Sequence, residues 1–335
     1  MPSNPTSRTS KATEERLDEI RRTAAASALP VDGNGAHRAP QIQGRESYYG
    51  LPVLKTPVWT WEIPIYFFIG GIAGLSASLA LIAQLFGGEP SFVRSALWVT
   101  LIGAAICPIF LIADLGRPAR FLNMLRVAKI QSPMSIGAWV LVAFSGCAFV
   151  AVLAEELIVR GYGGTFIVGL NWAGECTAAL TGLILAAYTG VLIAATAIPV
   201  WFHNRHALPA HFLAAAMGGA SAVLELLGFL ITSTQLIGIA AAIIETLLGV
   251  HFELNRLPVN APLHRGKSAI AFRIAGIMAG PGALVLRLVS DAAPIRRVAA
   301  VCFLGGSLLS RYAWIWAGQA SAKDPEALFQ IERKA

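Results

Sequence analysis

Runs of eighteen or more apolar residues recur along the chain, and they constrain its fold more than any other feature. Each run is long enough to cross a hydrocarbon core of about 30 Å at 1.5 Å per residue. Hydrophobic residues make up 56% of the sequence and charged residues 13%, whereas a soluble domain carries about a quarter charged residues. We therefore predict an all-α integral membrane protein with eight spanning helices. The predicted spans are Trp59–Phe86, Val93–Ala113, Ser135–Leu157, Ala173–Trp201, Pro209–Leu230, Thr232–Phe252, Ser268–Val289 and Val298–Gln319.

Both ends of the chain differ in composition from this apolar centre. The N-terminal region is rich in Ser, Thr, Pro and charge, and it holds no apolar core of the length that a secretory signal requires. We expect a disordered tail over 1–47, an eight-helix membrane domain over 48–325 and a C-terminal tail over 326–335. The first span is then expected to direct insertion into the membrane.

The net charge of +7 lies mainly in the tails and in short connections between apolar runs. Loop cations of this kind set membrane orientation, so the charge does not indicate nucleic acid as a partner. Eight spans place both termini on one side, and the excess of loop cations there predicts cytoplasmic termini. The loop cations on that side are Arg117, Arg120, Arg126, Lys129, Arg205, Arg256, Arg265 and Lys267, against Arg94, Arg160, Arg296 and Arg297 opposite.

Neither the cysteines nor the histidines form a pattern typical of a metal or haem centre. The cysteines fall inside predicted spans, where we expect small apolar core residues, and they lack the close spacing of a zinc or iron–sulfur site. A transmembrane b-type haem needs two histidines in facing helices, yet all six lie in tails, loops or helix ends. We therefore predict no haem or metal in this chain. The cysteines are Cys107, Cys147, Cys176 and Cys302.

Three polar clusters are predicted to meet at the membrane face that carries the termini. A pocket there would combine aromatic and aliphatic walls with a few hydrogen-bonding groups, which is typical of a small-molecule site. The first cluster is Glu62 and Tyr66 in WTWEIPIYFF, four residues apart on one helix face. The second is Asp114, Arg117, Arg120 and Arg126 in IADLGRPARFLNMLRV, and the third is Tyr188, His203, Asn204, Arg205, His206 and His211 around the connection between spans four and five.

Each cluster also has a simpler structural interpretation, and the sequence leaves both open. Asp114 and Arg117 are one turn apart, where a salt bridge would end a helix at the headgroups. Glu62 precedes Pro64 and suits the first turn of a helix, where an acid interacts with the helix dipole. His203 and its neighbours suit a polar interface without any ligand.

Several charged residues are predicted inside the spans or near their ends. A charge that faces lipid at mid-depth costs at least about 2.5 kcal/mol, so we expect these side chains to face the interior and pair. Proton translocation and structural links between helices both explain them. Glu225, predicted near the middle of the fifth span, is the first candidate for a proton path, and Glu175 is the second. The full set is Glu175, Glu225, Glu245, Arg273, Arg287 and Arg311.

Four long motifs resemble the NrfD/PsrC family, the membrane subunits of polysulfide-reductase-type complexes. They occur in the family's order, within the expected number of spans, over about Tyr48 to Pro325. The motifs are WTWEIPIYFFIGGIAG, DLGRPARFLNMLRVAKIQSPMSIGAW, AAYTGVLIAATAIPVWFHNRHALPAHF and RYAWIWAGQAS.

The resemblance implies two four-helix bundles, about 59–201 and 209–319, without haem, in a bacterial inner membrane. It also implies electron exchange between menaquinone or ubiquinone and a ferredoxin-like iron–sulfur subunit, with a further catalytic subunit of molybdopterin or cytochrome type. In several relatives the motif-bearing face meets a periplasmic partner, so the side of docking stays open. Some relatives are thought to conduct protons.

Carried over by position, the resemblance implies roles for particular residues. Tyr66 stands where some members have a quinone-site histidine, and Glu62 one turn earlier would handle the proton. These two and Asp114 form the predicted catalytic set. The predicted quinone site comprises Tyr66, Asp114, Arg117, Tyr188 and His203, and the predicted partner surface comprises Arg120, Arg126 and Arg205.

We therefore predict a quinone-interacting membrane anchor of a multisubunit oxidoreductase, which is not catalytically complete alone. A transporter or proton-conducting protein without redox chemistry is the alternative, since Gly280, Pro281 and Gly282 interrupt the seventh span as in discontinuous transport helices. A structural anchor that binds no quinone is a third hypothesis.

Overall fold

The computed structural model describes residues 54, 56, 57, 59–114, 118–126, 128, 129 and 131–324, with the side chains of 118–121 left out. The predicted tails, 1–47 and 326–335, lie outside these residues, as does Arg117. The described part of the chain contains helices and connections but no β-strand. It falls within one compact unit, Pro52–Ala335.

Eight helices in the described residues are long and apolar enough to cross a membrane, as predicted. The helices are α1 Glu62–Leu85, α2 Pro90–Asp114, α3 Pro118–Arg126, α4 Pro133–Val159, α5 Thr165–Ala194, α6 Pro199–His203, α7 Ala207–Leu226, α8 Thr232–Leu254, α9 Ala261–His264, α10 Gly266–Ile277, α11 Ala283–Val289 and α12 Ala293–Ser321. The eight spans are α1, α2, α4, α5, α7, α8, the pair α10 and α11, and α12. A π-helical segment, Met278–Gly282, joins α10 to α11.

Glycines end three of the spans on one face of the molecule. Gly87, Gly161 and Gly228 follow α1, α4 and α7 with φ values of 67°, 89° and 109°. Only glycine adopts this left-handed conformation without strain, so each residue stops its helix and turns the chain back. The connections that contain α3, α6 and α9 lie at the opposite face, which carries the predicted site.

Two predicted spans differ from the observed helices for reasons of backbone chemistry. The fourth span runs from Thr165 to Ala194 instead of ending at Trp201, because Pro199 disfavours helix at the residue before it and starts the separate helix α6. The fifth span ends at Leu226 instead of Leu230. The prediction that Glu225 lies near the middle of this span was therefore wrong, because the residue lies in its last turn.

The central helices of the fold are α1 and α7, which are the two most buried spans. Helix α1 packs against α2, α5 and α7, and α7 also packs against α5, α8 and α12. Helix α1 crosses α5 closely at Gly74, where a Cβ would overlap the Gly182 carbonyl. Small residues allow such approach in a membrane, where packing replaces the hydrophobic drive. Because α7 contacts both groups of helices, the division into two bundles stays a prediction.

Large apolar side chains cover much of the outer surface of the spans. Ile109, Phe166, Leu180, Leu247 and Ile277 are all more than 60% exposed. A soluble monomer rarely exposes so much contiguous apolar surface, whereas a surface in contact with lipid requires it. Cys176 is exposed on this surface, so the expectation of a core residue was wrong for that cysteine.

Candidate functional site

Three of the predicted site residues, from three different spans, line one small cavity at the face that holds α3 and α6. Tyr66 projects from α1, Asp114 ends α2 and Tyr188 projects from α5. The cavity measures about 40 Å³, which is room for a few water molecules. Its walls are mostly apolar. The described residues that line it are Trp59, Ile63, Tyr66, Phe67, Leu111, Asp114, Met124, Met134, Gly137, Ala138, Tyr188 and Leu192.

Tyr66 is held rigidly but leaves its hydroxyl available. The residue is 2% exposed, and its ring lies against Phe67 with the centroids 5.5 Å apart. Cys107 Sγ contacts its backbone carbonyl at 3.9 Å, which fixes this turn of α1 against α2. No described residue makes a hydrogen bond with the hydroxyl. A ligand in the cavity would find this hydroxyl ready to donate.

Tyr188 is positioned by the adjacent helix α4. Its hydroxyl donates to the carbonyl oxygen of Pro133, and its ring lies directly on Gly137, where a Cβ would overlap the ring and the hydroxyl. The donor hydrogen is thus occupied, although the hydroxyl oxygen can still accept a hydrogen bond. Gly137 is therefore a requirement for this position of the ring.

Asp114 and Glu62 are joined through the hydroxyl of Thr60. Thr60 Oγ1 lies 3.1 Å from Asp114 Oδ1 and also contacts Glu62 Oε2. The backbone N–H of Thr60 points to the same Asp114 oxygen at 3.5 Å. A hydroxyl has one hydrogen, so it donates to one carboxylate and accepts from the other when that one is protonated. The three side chains form a path from the cavity to the exposed Thr60.

A much larger cleft adjoins this cavity, and two residues line both spaces. The cleft measures about 520 Å³, and Met124 and Met134 line both spaces. Methionine side chains are unbranched and adaptable, so these two separate the spaces by a movable barrier. The described residues that line the cleft are Asn123, Met124, Arg126, Lys129, Ser132, Met134 and Ser135.

The other predicted quinone-site and partner residues lie apart from the inner cavity or cannot be placed. His203 is exposed and its Nε2 lies 3.4 Å from Asn255 Nδ2. The protein removes part of the His203 ring from water, and this effect, together with the nearby Arg205 and His251, lowers the pKa of His203 and favours its neutral form. Arg205 packs over the Phe202 ring at 4.5 Å. Arg120 is helical, but its side chain is outside the described atoms.

The two acids predicted for a proton path occupy the opposite face. Glu175 is fully buried, and the Gln84 amide, with its nitrogen turned to the acid, donates to its oxygens at 2.5 and 2.6 Å. Tyr188 is thirteen residues further along the same helix, roughly 20 Å at 1.5 Å per residue. Glu225 is held by two arginines, so the premise of an unpaired acid is not met.

Sequence reasoning missed residues that shape the cavity without bearing obvious chemistry. Trp59 lines it and stacks on Trp201, with ring centroids 5.4 Å apart. The carbonyl of Trp59 accepts a hydrogen bond from Gln319 on α12. Thr60 was also missed, although the motif WTWE places a hydroxyl two residues before Glu62. A role for Trp59 could be assigned only with the knowledge that α12 lies next to it, and no local sequence pattern indicates that neighbour.

Among the described residues no group of three His, Cys, Asp or Glu side chains could hold a metal ion. The cysteines are all free. The absence of haem and metal from this chain stays a prediction.

Comparison with known proteins places the chain in a family. A sequence profile described as polysulfide reductase, of NrfD type, matches residues 46–323. The C subunit of polysulfide reductase from Wolinella succinogenes is 30% identical over 196 residues, which cover 52% of this chain and 60% of the relative. The chain thus spans less than two thirds of that relative's length. With eight membrane-capable helices and a match over most of its length, the chain is a multi-pass membrane protein that belongs to the NrfD-type polysulfide reductase family.

Proposed function

We propose that the chain is the quinone-interacting membrane anchor of a multisubunit oxidoreductase, where it exchanges electrons between menaquinone or ubiquinone and a docked iron–sulfur subunit. The observation that carries the proposal is the meeting of Tyr66, Asp114 and Tyr188 in one apolar cavity. The family and its curated relative support membership of an oxidoreductase complex. The inner membrane, cytoplasmic termini and two four-helix bundles belong to the same proposal.

The polar groups of the cavity suit the two oxygens of a quinone ring. The hydroxyl of Tyr66, which makes no hydrogen bond to a described residue, would donate to one ring oxygen, and the carboxylate of Asp114 would accept from the hydroxyl of the reduced ring. Tyr188 would bound the far side and accept a weaker hydrogen bond. Apolar walls from Ile63 and Leu192 exclude water from the ring, which strengthens each of these interactions.

Quinol oxidation releases two electrons and two protons, and the chain holds a path along which the protons would leave one after the other. Asp114 would take the first proton from the ring hydroxyl that faces it and pass it through Thr60 to Glu62 and the aqueous phase. Once Asp114 is again a carboxylate, it would take the second proton by the same route. The electrons would leave to the iron–sulfur cluster of the docked subunit. In quinone reduction the electrons and protons would move through the same groups in the opposite direction.

Access for the ring requires Met124 and Met134 to move. The inner cavity is far smaller than the 300 Å³ or more that ligand pockets usually provide, whereas the adjoining cleft exceeds that size. Displacement of the two methionines would merge the spaces and admit the ring beside Tyr66. Arg126 and Lys129 on the cleft, together with Arg205, would offer a cationic surface to an acidic ferredoxin-like partner. A molybdopterin or cytochrome subunit would complete the complex.

Two substitutions test the site directly. Asp114→Asn and Tyr66→Phe are each expected to lower quinol turnover of the purified complex by about 10² to 10⁴-fold, the range contributed by a positioned acid or base. The iron–sulfur subunit should still co-purify, because neither side chain lies on the proposed docking surface. Turnover with an electron donor that bypasses quinol should be unchanged.

Matched controls are available at the opposite face. Tyr162 is 66% exposed, and Tyr162→Phe removes a hydroxyl with no expected effect on turnover. Asp291 accepts a hydrogen bond from Gln235, and Asp291→Asn keeps an accepting oxygen. Normal quinol turnover in both site variants would refute the assignment of the cavity.

One observation favours transport without redox chemistry as a second candidate. The seventh span is interrupted by the π-helical segment Met278–Gly282, in which Gly280 has a ψ of −107°. Discontinuous helices of this kind bind substrates in transporters. Ion flux into liposomes that contain this chain alone, without bound quinone or an iron–sulfur partner, would support that function over the first.

A further inference from the structure

A second pocket lies between α8 and α10, far from the cavity of Tyr66 in the chain and built from none of its residues. It measures about 320 Å³, within the range of small-molecule sites. Its walls are largely apolar, with one aromatic ring, Phe272. The described residues that line it are Glu245, Thr246, Gly249, Val250, Glu253, Phe272, Arg273, Gly276, Ile277 and Pro281.

The pocket contains a buried carboxylate with an unused oxygen. Glu245 is 3% exposed, and its Oε2 lies 3.1 Å from His211 Nδ1 on α7. The other oxygen, Oε1, has no hydrogen-bond partner among the described residues. The buried cation Arg311 on α12 is close enough to interact with Glu245 electrostatically. A buried acceptor without a donor is costly, so a ligand that supplies one gains that energy.

Aromatic rings hold the acid in place from behind. His211 packs against Phe252 and Phe272 at centroid distances of 5.8 and 6.5 Å. Trp314 closes the cluster, 5.2 Å from Phe252 and 5.4 Å from Phe272. The packed rings therefore fix the position of Glu245, and a side chain that is fixed before binding favours ligand affinity.

The pocket runs from the helix ends toward the membrane interior. At its mouth Glu253 and Arg273 form a salt bridge at 2.9 Å. Glu245 and Pro281 are each eight residues from these partners on their own chain segments, about 12 Å deeper at 1.5 Å per residue. The polar acceptor thus lies at the inner end of an apolar slot, in the middle part of α8.

We propose that this pocket binds a hydroxylated aromatic amphiphile, whose ring hydroxyl donates a hydrogen bond to Glu245 Oε1. The ring packs on Phe272, and an alkyl tail leaves between Val250 and Ile277 into the hydrocarbon layer. A lipid ammonium group fits less well, because a charge is costly to move into the apolar interior of a membrane. The cations and anions at the mouth are already paired with each other.

The pocket is tested by counting sites for 2-heptyl-4-hydroxyquinoline N-oxide, a hydroxylated ring with an alkyl tail whose fluorescence is quenched on binding. The detergent-purified full chain is expected to bind two molecules. Gly249→Leu should remove one site, because Gly249 lines the pocket and a Cβ there meets nothing within 4 Å. Glu245→Gln should weaken the same site at least tenfold and leave the other unchanged.

Different results would refute the two proposed sites. Asp114→Asn should remove the site in the Tyr66 cavity and spare that of Gly249. A single wild-type site that is lost in Asp114→Asn and kept in Gly249→Leu would overturn the second pocket alone. A single site with the opposite response would overturn the proposed quinone site instead. Release of an amine-headgroup phospholipid by Gly249→Leu, with no change in probe binding, would show that a lipid fills the pocket and overturn the proposal.

Discussion

Replacing Gly137 by alanine is expected to lower quinol turnover by about 10²-fold, although no reactive group is removed. The new Cβ would overlap the ring and hydroxyl of Tyr188. The ring must then move into the cavity, which measures only about 40 Å³. A displacement of about 1 Å at a reacting site costs a factor of this size. Steady-state quinol oxidation and quinone binding by the purified complex measure the effect.

Gly146 on the same helix provides the control. A Cβ there meets nothing within 4 Å, and alanine is the better helix former by about 1 kcal/mol. Gly146→Ala should therefore leave turnover unchanged. If Gly137→Ala does not accumulate in the membrane, Tyr188→Phe tests the same role, since it keeps the ring and removes the hydroxyl. Full turnover in Gly137→Ala would show that the position of Tyr188 does not matter.

The eight spans were predictable because apolar length is a local property of the sequence. Their ends were less predictable where single residues act on the backbone. Pro199 separates α6 from α5, and Gly228 stops α7 two residues after Leu226. Both residues are visible in the sequence, but hydropathy averaged over a window of many residues does not detect the effect of a single proline or glycine.

The candidate site was predictable only in its chemistry-bearing residues. Tyr66, Asp114 and Tyr188 lie near the ends of spans that meet at one face, so their convergence follows from topology. The cavity is also made by Gly137, Met124 and Trp59, whose roles depend on which helices are neighbours. Helix order around a membrane bundle is set by packing between distant segments, and local sequence does not determine it.

The largest loss of stability is expected from Glu225→Gln. Arg287 donates to the Glu225 oxygens at 2.9 and 2.7 Å, and Arg296 Nη2 donates to Oε1 at 2.6 Å. All three side chains are buried. Glu225 is the one acid among the described residues that pairs with these two arginines. Its removal leaves two buried guanidinium groups without that counter-charge, and breaking a buried pair costs about 3 to 5 kcal/mol. Unfolding of the purified protein in mixed detergent micelles measures the change.

Glu253→Gln separates this effect from the loss of any ion pair. Its salt bridge with Arg273 is partly exposed, and exposed pairs contribute about 0 to 1 kcal/mol. The two variants distinguish the roles considered for Glu225. If Glu225 links α7, α11 and α12, the Glu225→Gln variant loses far more stability than the Glu253→Gln variant. If Glu225 carries protons instead, the Glu225→Gln variant keeps a stability near that of the wild type and takes up fewer protons during turnover. The three hydrogen bonds from guanidinium groups favour the first outcome, because they occupy both oxygens of the Glu225 side chain.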